Sequence, residues 1–165
     1  MIMRHHDATH TFGPITDTEL RRVGAQRRLA ANRERRLIVK AVQAGHSQTL
    51  IAKLIGVSQP QVSRTIAAVK QSNDGVLAVE PESALDIIDM RDAGEIDTAQ
   101  MLKTLSALDY TEGYVPKWDG VATDAYVRGS WDDIEYAYQQ DKLTFEEYSE
   151  LFHAHRHRTA ASHGQ

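Results

Sequence analysis

Four polar side chains stand close together at the start of one short helical stretch: Gln59, Gln61, Ser63 and Arg64, with Pro60 among them. A glutamine amide presents a donor beside an acceptor, the complement of the N6 and N7 edge of adenine, and an arginine fork matches guanine O6 and N7. Each such bidentate pair discriminates between bases by ~1 to 3 kcal/mol. Val62, Ile66 and Val69 form the opposite stripe, so the helix has an apolar side for anchoring and a polar side for a ligand. A second set suits phosphate: Gln48, Thr49 and Ser58 at helix starts, where unpaired backbone amides favour anions, and the cations Arg33, Arg36, Lys40 and Lys70.

Other chemistries are less well supplied. Zero cysteines exclude disulfides, cysteine-ligated zinc and thiol catalysis. His153, His155 and His157 lack carboxylate or cysteine partners at a fitting spacing, so no metal or other cofactor is expected. The adjacent pairs Asp132–Asp133 and Glu146–Glu147 sit at helix starts, where the helix dipole and solvation account for them without catalysis. An enzyme is not expected.

The elements that must position the first set can be placed by their caps. Residues 1–14, with His5, His6 and His10, have no periodicity and read as an arm. Thr16 and Glu19 form a capping box flanked by the staple positions Ile15 and Leu20, so a helix should run from Asp17 to about Asn32. A second helix, from about Arg33 to Ala44, groups Leu37, Ile38, Ala41 and Val42, leaves Arg33, Arg36 and Lys40 exposed, and stops at Gly45. Ser47 caps a short helix over Gln48 to Ile55, and Gly56 provides a tight turn. Ser58 with Gln61 opens the next helix, with Pro60 in its first turn, where a missing N–H costs nothing.

The run Gln48-Thr-Leu-Ile-Ala52-Lys-Leu-Ile-Gly56-Val57-Ser58-Gln-Pro-Gln-Val62-Ser-Arg64 resembles the DNA-binding helix-turn-helix of many bacterial and phage regulators. Ala52 must be small for the second helix to cross it, Gly56 makes the turn, and Ile51, Ile55, Val57 and Val62 lock the pair. The resemblance implies that Gln59, Pro60, Gln61, Ser63 and Arg64 meet bases in the major groove. It is shared by repressors, activators, recombinases and transposases, but the catalytic domain of the last two has no counterpart in this chain.

Residues 73–82 read as a linker, and beyond it lies a second unit over 83–154 followed by a tail over 155–165. Ser83 to Ala93 forms a helix stopped by Gly94, and Asp97 with Gln100 caps another carrying Met101, Leu102, Leu105 and Leu108. Forty-seven residues on the pattern recurs: Ile134 to Gln140 repeats Ile87 to Ala93, Leu143 stands where Ile96 did, and Thr144 with Glu147 repeats the cap. Tyr148 and Phe152 take the places of Met101 and Leu105. Between the two hairpins, Asp109 to Arg128 is rich in aromatics without a helical period, a length that is usually functional or disordered, and the aromatics argue for packing. Trp118 and Trp131 are expected as core anchors, and Tyr114, Lys117, Tyr126 and Arg128 as candidate C-terminal contacts with DNA. The fold expected is all-α, a helix-turn-helix unit joined to two helical hairpins.

Charge separates the same two units. Residues 1–72 hold twelve Lys or Arg against four Asp or Glu, a balance of +8; the rest hold seven against nineteen, a balance of -12. Seven arginines fall between Arg21 and Arg36, opposed there only by Glu34. Such asymmetry points to nucleic acid at the front and another task behind. No apolar run approaches the ~20 residues of a membrane span, the first residues lack a signal-peptide core, and a cytoplasmic place is expected.

The layout as a whole is similar to the immunity repressors of temperate actinobacterial phages. That resemblance implies a lysogeny regulator in the cytoplasm of the bacterial host, with double-stranded DNA as partner and the C-terminal domain assisting; it also favours a monomer over a homodimer. The acidic balance restricts any C-terminal DNA contact to a local patch, such as Lys117, Arg128 or the Arg156 and Arg158 tail. Two alternatives stay open: a dimeric repressor on palindromes with the acidic half as dimer surface, and an antitoxin-like regulator whose acidic half binds a protein.

Overall fold

A computed structural model of the chain describes residues 13–110, 117–118, 121–122 and 129–162. Its first element is a single helix, α1 (Asp17–Gln43), where the sequence predicted two. Nothing between Asn32 and Arg33 breaks a helix: Ala30, Ala31 and Asn32 carry neither glycine nor proline, and both halves find packing partners. The Thr16–Glu19 capping box opens α1. The expected staple does not close, because Ile15 and Leu20 are both mostly exposed.

α2 (Gln48–Ile55) and α3 (Gln59–Ser72) follow. Each is capped by a serine hydroxyl, Ser47 accepting from the Leu50 amide and Ser58 from the Gln61 amide. The return bond expected of a full Ser58–Gln61 box is not made. Their core joins Ile38 from α1 to Ile51, Ala52, Val62 and Ile66, edged by Ala41, Val42, Ile55, Val57 and Leu77. Leu37 departs from expectation: it lies exposed, and Val39 is buried instead.

The rear unit is built from α4 (Ala84–Ala93), α5 (Thr98–Ala107), α6 (Asp132–Gln139) and α7 (Phe145–Ser162). Its caps follow the sequence: Ser83 with Asp86 on α4, Asp97 on α5, and Thr144 with Glu147 on α7. Like elements of the two hairpins meet, α4 against α6 and α5 against α7. Ile87, Ile88, Met101, Leu105, Ile134, Leu143 and Leu151 fill the space between them. On α7 the buried residue is Leu151, and Tyr148, expected in the place of Met101, packs at the margin. The helix continues through Ser162, beyond the boundary expected for a tail.

Trp131 is the anchor it was expected to be, stacked on His155 at 4.5 Å and edge-on to Tyr110 at 5.3 Å. Between the hairpins lies a two-residue antiparallel ladder, β1 (Lys117–Trp118) with β2 (Val121–Ala122). The side chains of Trp118, Tyr114, Lys117, Tyr126 and Arg128 lie outside the described residues. No described helix is long and apolar enough to cross a membrane.

Candidate nucleic-acid interface

α2 and α3 owe their crossing to small residues and a left-handed turn. Gly56 sits at φ 77°, a conformation that costs a residue with a Cβ about 1 to 2 kcal/mol, and its amide and that of Val57 both donate to the Ala52 carbonyl. Ala52, nearly buried, brings the helix axes close, and Val62 is fully enclosed behind it. Anchored by Val62, Ile66 and Val69, α3 turns its other side outward. Gln59, Pro60, Gln61, Ser63 and Arg64 are all exposed there, the five residues expected to meet bases.

Around them, Thr49, Ser58, Lys40 and Lys70 are exposed and Gln48 is half-buried. Gln59 Nε2 donates to Gln48 Oε1 at 2.8 Å, tying the starts of α2 and α3 together. His46 and Lys53, absent from the expected set, are exposed on the same two-helix unit.

The arginine-rich stretch is arranged differently. Arg36, expected to be exposed, retains 16% side-chain exposure and pairs with Asp86, while its Nε donates to the Glu80 carbonyl at 3.0 Å. Arg33 makes a two-pronged bond to Glu95, Arg28 another to Asp89, and Arg35 pairs with Glu80. Arg21 donates to the Asp141 carbonyl. Five of the seven arginines between Arg21 and Arg36 therefore engage the rear unit or the segment leading to it. The +8 balance overstates the positive charge available to phosphate, because α1 supports the rear unit as well as the front.

These pairs shift the groups that form them. Burial alone would raise the Asp86 carboxyl; the Ser83 amide, Arg36 and Asn32 outweigh it and hold the group below its ordinary range. The bond to Asp89 raises the Arg28 guanidinium, against the opposing effect of burial. The Arg33 bond lowers Glu95, and the same bond raises Arg33.

At the other end, Arg158 is drawn inward too. Its Nη1 donates to the carbonyls of Ser106 and Leu108, closing the end of α5, and it pairs with Asp109. Arg156 lies over the Phe152 ring, and both arginines remain exposed. Among the described residues no group of three His, Cys, Asp or Glu could hold a metal ion.

Sequence reasoning missed the line between α1 and α4. Its signal was present as two matching polar stripes: Arg28, Asn32 and Arg36 at i, i+4 and i+8, and Asp86 with Asp89 at i and i+3 inside an otherwise aliphatic helix.

Residues 29–77 match the homeodomain-like domain family. The matched stretch runs from the second half of α1 through α2 and α3 to Leu77, which packs against their core. No curated protein and no solved structure matches the chain. The chain thus carries a helix-turn-helix DNA-binding domain at its front.

Proposed function

We propose that this chain is a sequence-specific transcriptional repressor of the lysogeny and immunity type, reading operator-like sites through α3 with assistance from the rear unit. The observation that carries this reading is the exposed row Gln59, Pro60, Gln61, Ser63 and Arg64 on a helix fixed by its serine cap and by Val62. Arg64 is assigned to guanine and the two glutamines to adenine, with Lys40, Thr49, Ser58 and Lys70 on phosphates. It acts as a binding protein without catalysis or cofactor, in the cytoplasm of a bacterial host, and as a monomer. The engagement of the buried Asp86 and Asp89 within the chain weighs against the antitoxin alternative, because these acids are unavailable to a basic protein partner.

Selection of duplexes from a random library, followed by titration of Arg64→Ala, tests the reading. Arg64→Ala should lose ~1 to 3 kcal/mol on the selected site and almost nothing on a scrambled one. Equal losses on both, or no selected sequence at all, would reject it. A single asymmetric footprint supports the monomer, and a palindromic one the dimer.

A further inference from the structure

We infer that the seam between α1 and α4 is a positioning element for DNA recognition: Asp86 and Asp89 hold Arg28, Asn32 and Arg36 so that the rear unit stands at one fixed attitude to α3. The inference rests on the DNA reading proposed above and adds residues that do not touch DNA themselves.

The bonding is complete and directional. Asp89 Oδ2 accepts from Arg28 Nε at 2.8 Å, and its Oδ1 accepts from Arg28 Nη2 and from Lys142 Nζ, each at 2.8 Å. Asp86 Oδ1 accepts from Asn32 Nδ2 at 2.6 Å, and Oδ2 accepts from Arg36 and from the Ser83 amide. All four carboxylate oxygens have donors, drawn from α1, from the α4 cap and from the turn between α6 and α7. Both aspartates are almost wholly buried, at 2% and 3% exposure. The seam extends from Arg28 to Arg36, about 12 Å along the helix.

Two further features make this seam a rigid joint. Ala25 and Leu29 pack against Ala93 beside it, so α1 cannot roll without opening an apolar contact. The same helix then supplies Ile38 to the core of the DNA-binding unit with no glycine or proline between Leu29 and Ile38. One uninterrupted rod is therefore fastened at one end to α4 and at the other to α2 and α3. Apolar residues of the same volume would serve stability as well or better than a buried ionic cluster. What the cluster adds is a single register, since rotating α1 by one residue turns Arg28 about 100° from Asp89.

The absence of cysteine permits a direct test in the full chain. Spin labels at Gln71→Cys on α3 and Glu150→Cys on α7, both exposed positions, measure the distance between the units. The Asp89 half of the seam is then made apolar with Arg28→Met, Asp89→Leu and Lys142→Met. The parent should give one narrow distance distribution. The apolar variant should keep its helical circular dichroism, broaden that distribution at least twofold, and bind the selected duplex at least tenfold more weakly with unchanged affinity for a scrambled one. The isosteric single variant Asp89→Asn carries the same two readouts should the triple variant not fold. An unchanged distribution overturns the inference, as does a broadened one with operator affinity intact. A parent with no preference between selected and scrambled duplexes fails at an earlier step and rejects the DNA reading itself, whatever the distances show.

Discussion

The two units of this chain handle polar residues in opposite ways. Around α2 and α3 the core is purely aliphatic, and the polar side chains of α3 are left outside it. In the rear unit, Asp86, Asp89, Ser130 and Asp133 are buried. Polar groups held in water are available to an external ligand. Polar groups taken into the protein are committed to internal donors, because a buried charge is tolerable only when paired. The contrast teaches where to look for recognition. A count of charges along the sequence locates basic and acidic halves, yet only burial separates a charge that can meet phosphate from one that already has a partner.

The largest expected effect attacks the committed side. Asp86→Ala leaves the largely buried Arg36 without its carboxylate and should cost about 3 to 5 kcal/mol of stability, measured by denaturant unfolding. A loss below about 1 kcal/mol would mean that Asp86 is no more committed than a surface acid, and the comparison would fail. Acid provides a second measurement. The folded Asp86 carboxyl lies below its ordinary 3.8, so its contribution is present above that pH and is lost as pH falls through the folded value. Stability of Asp86→Asn should accordingly fall less steeply than that of the parent below about pH 4.

Next in size is a change on the outward-facing side. Ala52→Leu inserts bulk where α3 crosses α2 and should cost about 1 to 3 kcal/mol while displacing the recognition helix. Specific DNA binding should fall, whereas native tryptophan emission should hold, since Trp118 and Trp131 both belong to the rear unit. A changed emission spectrum would show that the units are less separable than their cores indicate.

How much of this was legible in the sequence follows the same division. Ser47, Gly56 and Ser58 announce the boundaries of α2 and α3, because caps and left-handed turns are local chemistry that a short window contains. The rear hairpins were legible for the same reason, through Ser83, Asp97 and Thr144. The fusion of two expected helices into α1 was missed although no breaker stands between Asn32 and Arg33; the packing that holds both halves in one helix comes partly from α4, more than fifty residues away. Arg36 was misjudged on similar grounds. An arginine on a helix surface looks alike in sequence whether it faces solvent or a distant aspartate.

The smallest expected effect falls on Arg33, where the two behaviours meet. Its partner is Glu95, but both side chains remain substantially exposed, at 48% and 39%. Exposed pairs contribute ~0.2 to 1 kcal/mol and are screened by salt, so Arg33→Ala should lower stability by no more than that. Its effect on DNA separates commitment from availability. If Glu95 holds the guanidinium, Arg33→Ala leaves the dependence of log affinity on log salt unaltered, while Lys40→Ala makes that slope shallower by about 0.9. If phosphate draws Arg33 away from Glu95 on binding, both substitutions reduce the slope alike, and Glu95→Gln strengthens general DNA affinity by freeing the cation. Titrating all three variants at several salt concentrations on a scrambled duplex distinguishes the cases. The geometry of the pair, both terminal nitrogens on both carboxylate oxygens, favours the first.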